Sequence, residues 1–188
     1  MIELTTTTPE WHLRAEGDEH FVEGRIVPFG ERTLVREDGE VYWEEFLPGS
    51  LTAMEQAAKR AGNARWIAFN LDHDESLDKR IGHGRSLEQR DDGGWATFRL
   101  LNSHPHAAMV REMLTESHTG LSVFFTDRVP PRVVDGVRQR VSVTVHHVAA
   151  TPIPAYEGAT IASVRANEEL VLGTPALDEW RAWLDARA

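Results

Sequence analysis

The sequence contains no cysteine among its 188 residues. Disulfides, catalytic thiolates and zinc sites built on cysteine are therefore excluded. Basic residues are outnumbered by acidic ones, 20 against 30, and the formal net charge is -10. Because nucleic-acid backbones and anionic membranes repel a protein of this charge, we expect neither a nucleic acid nor a membrane as the partner.

Long apolar runs are also missing from the sequence. No stretch approaches the roughly 20 apolar residues that a membrane-spanning helix needs. Residues 1–11 lack the basic start and apolar run of a secretion signal. The expectation is a protein that stays in the cytoplasm, or in a compartment assembled there, and is not secreted.

Strand and turn signals indicate a mainly β domain with flanking helices. Residues 66–71 read as a buried strand, and residues 141–146 alternate strictly between apolar and polar side chains. Helices are predicted at 51–60 and 106–115, where apolar residues recur at helical spacing. The chain length suits one core, so residues 1–165 are predicted to form one domain. Residues 166–188 are predicted to be an acidic linker and a short amphipathic helix.

Three residues stand in contexts that a solvated surface residue would not need. His73 directly follows the predicted buried strand, Ser122 lies near the start of an apolar strand behind Gly120, and His147 follows a run of alternating valines. A serine and two histidines are sufficient for a nucleophile, a base and an orienting group.

The choice between the adjacent His146 and His147 depends on strand parity. Counting alternate residues from Val143 and Val145 puts His147 on the valine side, so it is expected to face inward. A bulge in this strand would bring His146 inward instead.

Five short motifs follow one another between residues 20 and 165. They are FVEGRIVPFG at 21–30, EFLPGS at 45–50, LDHD with IGHGR at 71–74 and 81–85, GLSVFF at 120–125, and HHVAATPIPAYEGA at 146–159. In this order they resemble the prohead maturation proteases of tailed bacteriophages, a family related to the herpesvirus assemblins.

The resemblance implies a fold, an activity and partners. The fold would be a closed, mostly antiparallel β-barrel of the herpesvirus-protease type. The activity would be that of a serine endopeptidase of capsid maturation that needs no cofactor or metal. Its substrates and partners would be the scaffold protein, or the scaffolding segment of the major capsid protein, inside the immature capsid (prohead). A monomer and a homodimer are both left open.

Carried over residue by residue, the resemblance makes Ser122 the nucleophile and His73 the base. His147 falls where many phage relatives carry a glutamate and herpesvirus relatives a histidine, so it becomes the third member. A neutral imidazole would orient His73 without the charge of a carboxylate, and we therefore expect a slow enzyme.

Stabilisation of the oxyanion is harder to assign, because backbone amides leave no residue signature. Three arginines downstream of the serine are the candidates for polar support, namely Arg128, Arg138 and Arg140.

Two other functions are consistent with the residues. One is a noncatalytic capsid-assembly component that keeps the protease fold. The other is a metal-dependent hydrolase using His73, a flanking Asp72 or Asp74, and the paired histidines. No histidine pair spaced four apart on a predicted helix supports a metal site.

Overall fold

A computed structural model describes residues 19–37 and 40–165 of the chain. The predicted linker and helix at 166–188 lie outside the described residues. Within them, strands and two α-helices follow in the order β1 (Phe21–Pro28), β2 (Thr33–Glu37), β3 (Glu40–Phe46), α1 (Thr52–Ala61), β4 (Ala64–Leu71), β5 (Arg80–Arg90), β6 (Gly93–Leu100), α2 (Ala107–Glu116), β7 (Gly120–Asp127), β8 (Arg132–Val134), β9 (Val137–Arg140), β10 (Val143–Thr151) and β11 (Ile161–Arg165). The prediction of a mainly β protein with flanking helices is confirmed. No helix in the described ranges has the length and apolar character that spanning a membrane requires.

The main sheet has seven strands in the order β11, β1, β6, β5, β4, β10 and β7. Its neighbours run antiparallel except for β4 and β10, which are parallel. The sheet curls so that its two edge strands, β7 and β11, meet at one corner. There Gly120 bridges Thr160, and the Leu121 and Ile161 amides donate to nearby carbonyls, each at 2.8 Å.

The predicted closed barrel is therefore wrong, because β7 and β11 pair only at this corner among the described residues. Pairing in one direction is limited by Pro152 and Pro154, which precede β11 and carry no backbone N–H. Pairing in the other direction is limited by α2, which ends at Glu116, shortly before β7 begins. The result is a curled half-barrel.

A second, four-stranded sheet has the order β2, β3, β9 and β8. In it, β3 pairs antiparallel with β2 and parallel with β9. This small sheet joins the main sheet near Phe46, which packs edge-on against Phe125 at 5.0 Å between ring centroids.

The hydrophobic core lies against one face of the main sheet. Ala96, Phe98 and Leu100 of β6 are buried at alternate positions, as expected for a strand with one packed face. Phe98 stacks on Phe69 of β4 at 4.4 Å. Both helices supply buried side chains to the same cluster. The opposite face of the sheet carries the polar residues considered next.

Candidate active site

The position of His147 is decided by a bulge in β10. Val145 and His147 pair with consecutive residues of β7, so His146 has no cross-strand partner. An extra residue reverses the alternation of side chains along a strand. Val145 and Val148 consequently face the core, whereas His147 lies on the opposite face, where only 5% of it is exposed.

The expectation that His147 lies on the valine side is therefore wrong, and so is the expectation that a bulge would bring His146 inward. His147 is buried but does not share the valine side. His146 is the bulged residue, yet it is exposed, and its Nε2 lies 2.9 Å from the hydroxyl of Thr126.

His73 reaches His147 from a turn that follows β4. Asp72, at the start of this turn, has a left-handed backbone with φ of 50°, a conformation that aspartate adopts more readily than most residues. Its amide donates to Ala150 of β10 at 2.9 Å, which holds the turn beside the strand of His147. His73 Nδ1 then lies 3.0 Å from His147 Nε2.

A carboxylate that sequence reasoning missed continues this line of contacts. Glu75 Oε1 lies 3.0 Å from His147 Nδ1, the ring nitrogen on the side away from His73. The only sequence signal for Glu75 was its place two residues after His73 in the same turn. Phe124, also not predicted, stacks on the His147 ring at 5.1 Å and helps to fix its orientation.

Burial favours the neutral form of both His73 and His147. It lowers the pKa of His73, and the nearby Asp72 acts in the opposite direction. Burial and the neighbouring His73 lower the pKa of His147, while the Glu75 carboxylate opposes this shift. An imidazole that is neutral near pH 7 can accept a proton, as a general base must.

Ser122 lies on the same sheet face as His147. Its strand, β7, pairs Ser122 with Ala149 and Phe124 with His147, and cross-strand partners point to the same side. Ser122 and His147 are thus diagonal neighbours, roughly 7–8 Å apart between Cα atoms. The Ser122 side chain is partly exposed and makes no hydrogen bond to any described residue. The fold brings the two histidines into contact and places the serine diagonally across the strand pair from His147.

The three predicted arginines do not contact Ser122, His73 or His147. Two of them bind carboxylates and one binds a threonine: Arg140 with Glu44 and Asp127, Arg138 with Glu40, and Arg128 with Thr144. Arg140 is itself buried, so its charge is committed to this ion-pair cluster.

A further histidine, His118, lies just before β7. Its Nε2 is 3.9 Å from Asp72 Oδ1, and burial lowers its pKa while Asp72 acts in the opposite direction. Within residues 19–37 and 40–165, no three histidine, aspartate or glutamate side chains are grouped as a metal site would require.

Comparison with known proteins finds a likeness only at the level of solved structures. No protein-family model matches the chain, and no curated protein matches it. Among solved structures, the chain is similar to KSHV protease in complex with a hexapeptide phosphonate inhibitor. The identity is 12%, the TM-score is 0.45, and the match covers 89% of this chain and 77% of that one. At this identity and TM-score, the likeness carries no residue role over to this chain.

Proposed function

We propose that this chain is a serine endopeptidase in which Ser122 is the nucleophile, His73 the general base and His147 the group that orients the base. The observation that carries the proposal is the 3.0 Å contact between His73 Nδ1 and His147 Nε2, on the sheet face that also holds Ser122.

The contacts of Glu75 determine which ring nitrogens carry protons. An ionised carboxylate only accepts hydrogen bonds, so His147 Nδ1 must carry the proton that points to Glu75. Neutral His147 then has a free lone pair on Nε2, which accepts from His73 Nδ1–H. Neutral His73 is left with a lone pair on Nε2, the nitrogen that can accept the proton of Ser122.

The reaction follows from this arrangement. Ser122 Oγ attacks the peptide carbonyl while its proton moves to His73 Nε2, and the same nitrogen later protonates the leaving amine. The His73 imidazolium that forms in between is stabilised through His147 by the negative charge of Glu75. Ser122 and His73 must come closer than in the free protein, and such catalytic hydrogen bonds often tighten only when substrate is bound.

We further propose that the substrate is the scaffold protein, or the scaffolding segment of the major capsid protein, inside the prohead in the host cytoplasm. Support comes from the five ordered motifs between residues 20 and 165 and from the net charge of -10, which favours protein partners over nucleic acid. A monomer and a homodimer both fit this role.

Co-expression with the capsid and scaffold proteins tests the proposal. Ser122→Ala should abolish cleavage while assembly persists, and Ser86→Ala, which alters an exposed serine of β5, should leave cleavage unchanged. Cleavage that continues undiminished in Ser122→Ala would exclude the serine mechanism. Inhibition by chelators but not by serine-directed phosphonates would favour a metal-dependent hydrolase, and intact assembly without any cleavage a noncatalytic component.

A further inference from the structure

A cavity of about 180 Å³ opens beside His147, on the side of β10 away from Ser122. Its walls come from β4, β5 and the turn that carries Glu75. A shallower recess of about 380 Å³ adjoins it, because both are lined by Arg65, Arg80 and His83. The two recesses extend along the same face of the sheet as the candidate catalytic residues.

One wall of the cavity is a buried amide without partners. Asn70 has 0% of its surface exposed, and neither its Oδ1 nor its Nδ2 makes a hydrogen bond to any described residue. Leaving a buried polar group without a hydrogen bond destabilises the folded state, so such groups are rare in folded structures. An amide that lines a cavity in this state can hydrogen-bond a water or a polar group of a ligand that enters the cavity.

The charge around the cavity favours an anion. Arg65 and Arg80 are exposed at its mouth, and neither guanidinium forms an ion pair with a described residue. Glu75 also lines the cavity, but its carboxylate is occupied by His147. Burial and nearby arginines lower the pKa of His83, which disfavours a further positive charge there. Two arginines that have no ion-pair partner among the described residues therefore outweigh one glutamate that is engaged by His147, in a chain that is acidic as a whole.

We infer that this cavity is a subsite for an acidic side chain, aspartate or glutamate, of the polypeptide substrate. The inference rests on the proposed function only in taking the ligand to be part of the substrate. Arg65 and Arg80 would pair with the carboxylate, and Asn70 Nδ2 would donate a hydrogen bond to it. An apolar cavity of about 150 Å³ holds benzene in another protein, so 180 Å³ is ample for such a side chain.

The sheet also gives the distance from the serine to the cavity. Ser122, Ala149 and Asn70 lie in one row across β7, β10 and β4. Two strand spacings amount to roughly 10 Å. An extended chain covers about 3.3 Å per residue, so the acidic residue should lie about three residues from the scissile bond.

Binding can be tested without cleavage by titrating the full chain with N-acetyl-glutamate N-methylamide and with the glutamine analogue, followed by NMR of the Asn70 side-chain amide. We expect the glutamate compound to bind at least about tenfold more tightly, because a hydrogen bond to a charged group is the stronger one. In Arg80→Gln this preference should fall about tenfold, whereas Arg60→Gln, on α1 outside the cavity, should preserve it.

Equal binding of the two compounds, binding of neither, or an undiminished preference in Arg80→Gln would overturn the inference. If Arg80→Gln does not fold, Arg65→Gln replaces it with the same expectation. Because binding is measured without turnover, failure of the protease proposal would leave this result unchanged. Conversely, Ser122-dependent cleavage with equal binding of the two compounds would refute the subsite alone.

Discussion

Replacing Glu75 by glutamine removes the carboxylate that, among the described residues, contacts the histidine pair, while keeping the size of the side chain. Its Oε1 is 3.0 Å from His147, and His147 is 3.0 Å from His73, so the charge lies roughly 8 Å from the imidazolium formed on His73. At that distance the attraction is about 2 kcal/mol at an effective dielectric constant near 20, and about 0.5 kcal/mol in water.

Because 67% of the Glu75 side chain is exposed, the lower part of this range applies. We expect Glu75→Gln to lower kcat by about two- to tenfold. KM should not rise, since Glu75 is not expected to bind the substrate. The acid limb of the kcat profile should move to lower pH, because the Glu75 charge favours the imidazolium of His73 and its removal makes this base harder to protonate.

The assay is the pH dependence of kcat for a capsid-derived substrate, compared among wild type, Glu75→Gln and Glu116→Gln. Glu116 is exposed at the end of α2 and controls for the loss of one negative charge. An unchanged kcat and an unshifted acid limb in Glu75→Gln would refute the chain of contacts from Glu75 to His73. A decrease of kcat in Glu75→Gln as large as that in His73→Ala would mean that Glu75 does more than stabilise the charge on His73.

Three other outcomes follow from the structure. His147→Ala should lower kcat much less than His73→Ala, because His147 orients the base without transferring the proton. Circular dichroism would show whether both variants fold. Equal decreases of kcat in two folded variants would contradict these roles. Asn70→Leu should raise the free energy of unfolding, measured by urea titration, by roughly 1–3 kcal/mol, since it removes an unsatisfied buried amide. A destabilised variant would show that the Asn70 side chain has a hydrogen-bond partner. Burial lowers the pKa values of His73 and His147 on folding, so the unfolded chain binds more protons than the folded one between these lowered values and about pH 6.5. The free energy of unfolding should therefore fall as the pH drops below about 6.5. A thermal unfolding temperature that is independent of pH across this range would contradict the lowered pKa values.

Local patterns predicted the strands and helices because alternation and turn residues are properties of neighbouring positions. The strand predicted at residues 66–71 lies within β4, and the helices predicted at 51–60 and 106–115 are α1 and α2. Local patterns could not predict whether the barrel closes, because closure requires the edge strands β7 and β11 to pair. That pairing is limited by the prolines before β11 and by the end of α2.

The candidate site shows the same limit at the level of single residues. The bulge at His146 has no sequence signature, yet it moves His147 to the opposite face of the sheet. Glu75 and Asn70 were not predicted, because their significance depends on residues distant in the sequence. Glu75 contacts a ring nitrogen of His147, and the side-chain amide of Asn70 has no hydrogen-bond partner among the described residues.

The central claim is that Ser122 is a nucleophile activated by His73, and covalent labelling tests it most directly. The protein would be treated with a serine-directed phosphonate and the modified residue located by mass spectrometry. The account predicts a single adduct on Ser122 that disappears in Ser122→Ala and is strongly reduced in His73→Ala. An adduct on another residue, or labelling of Ser122 that does not depend on His73, would contradict it.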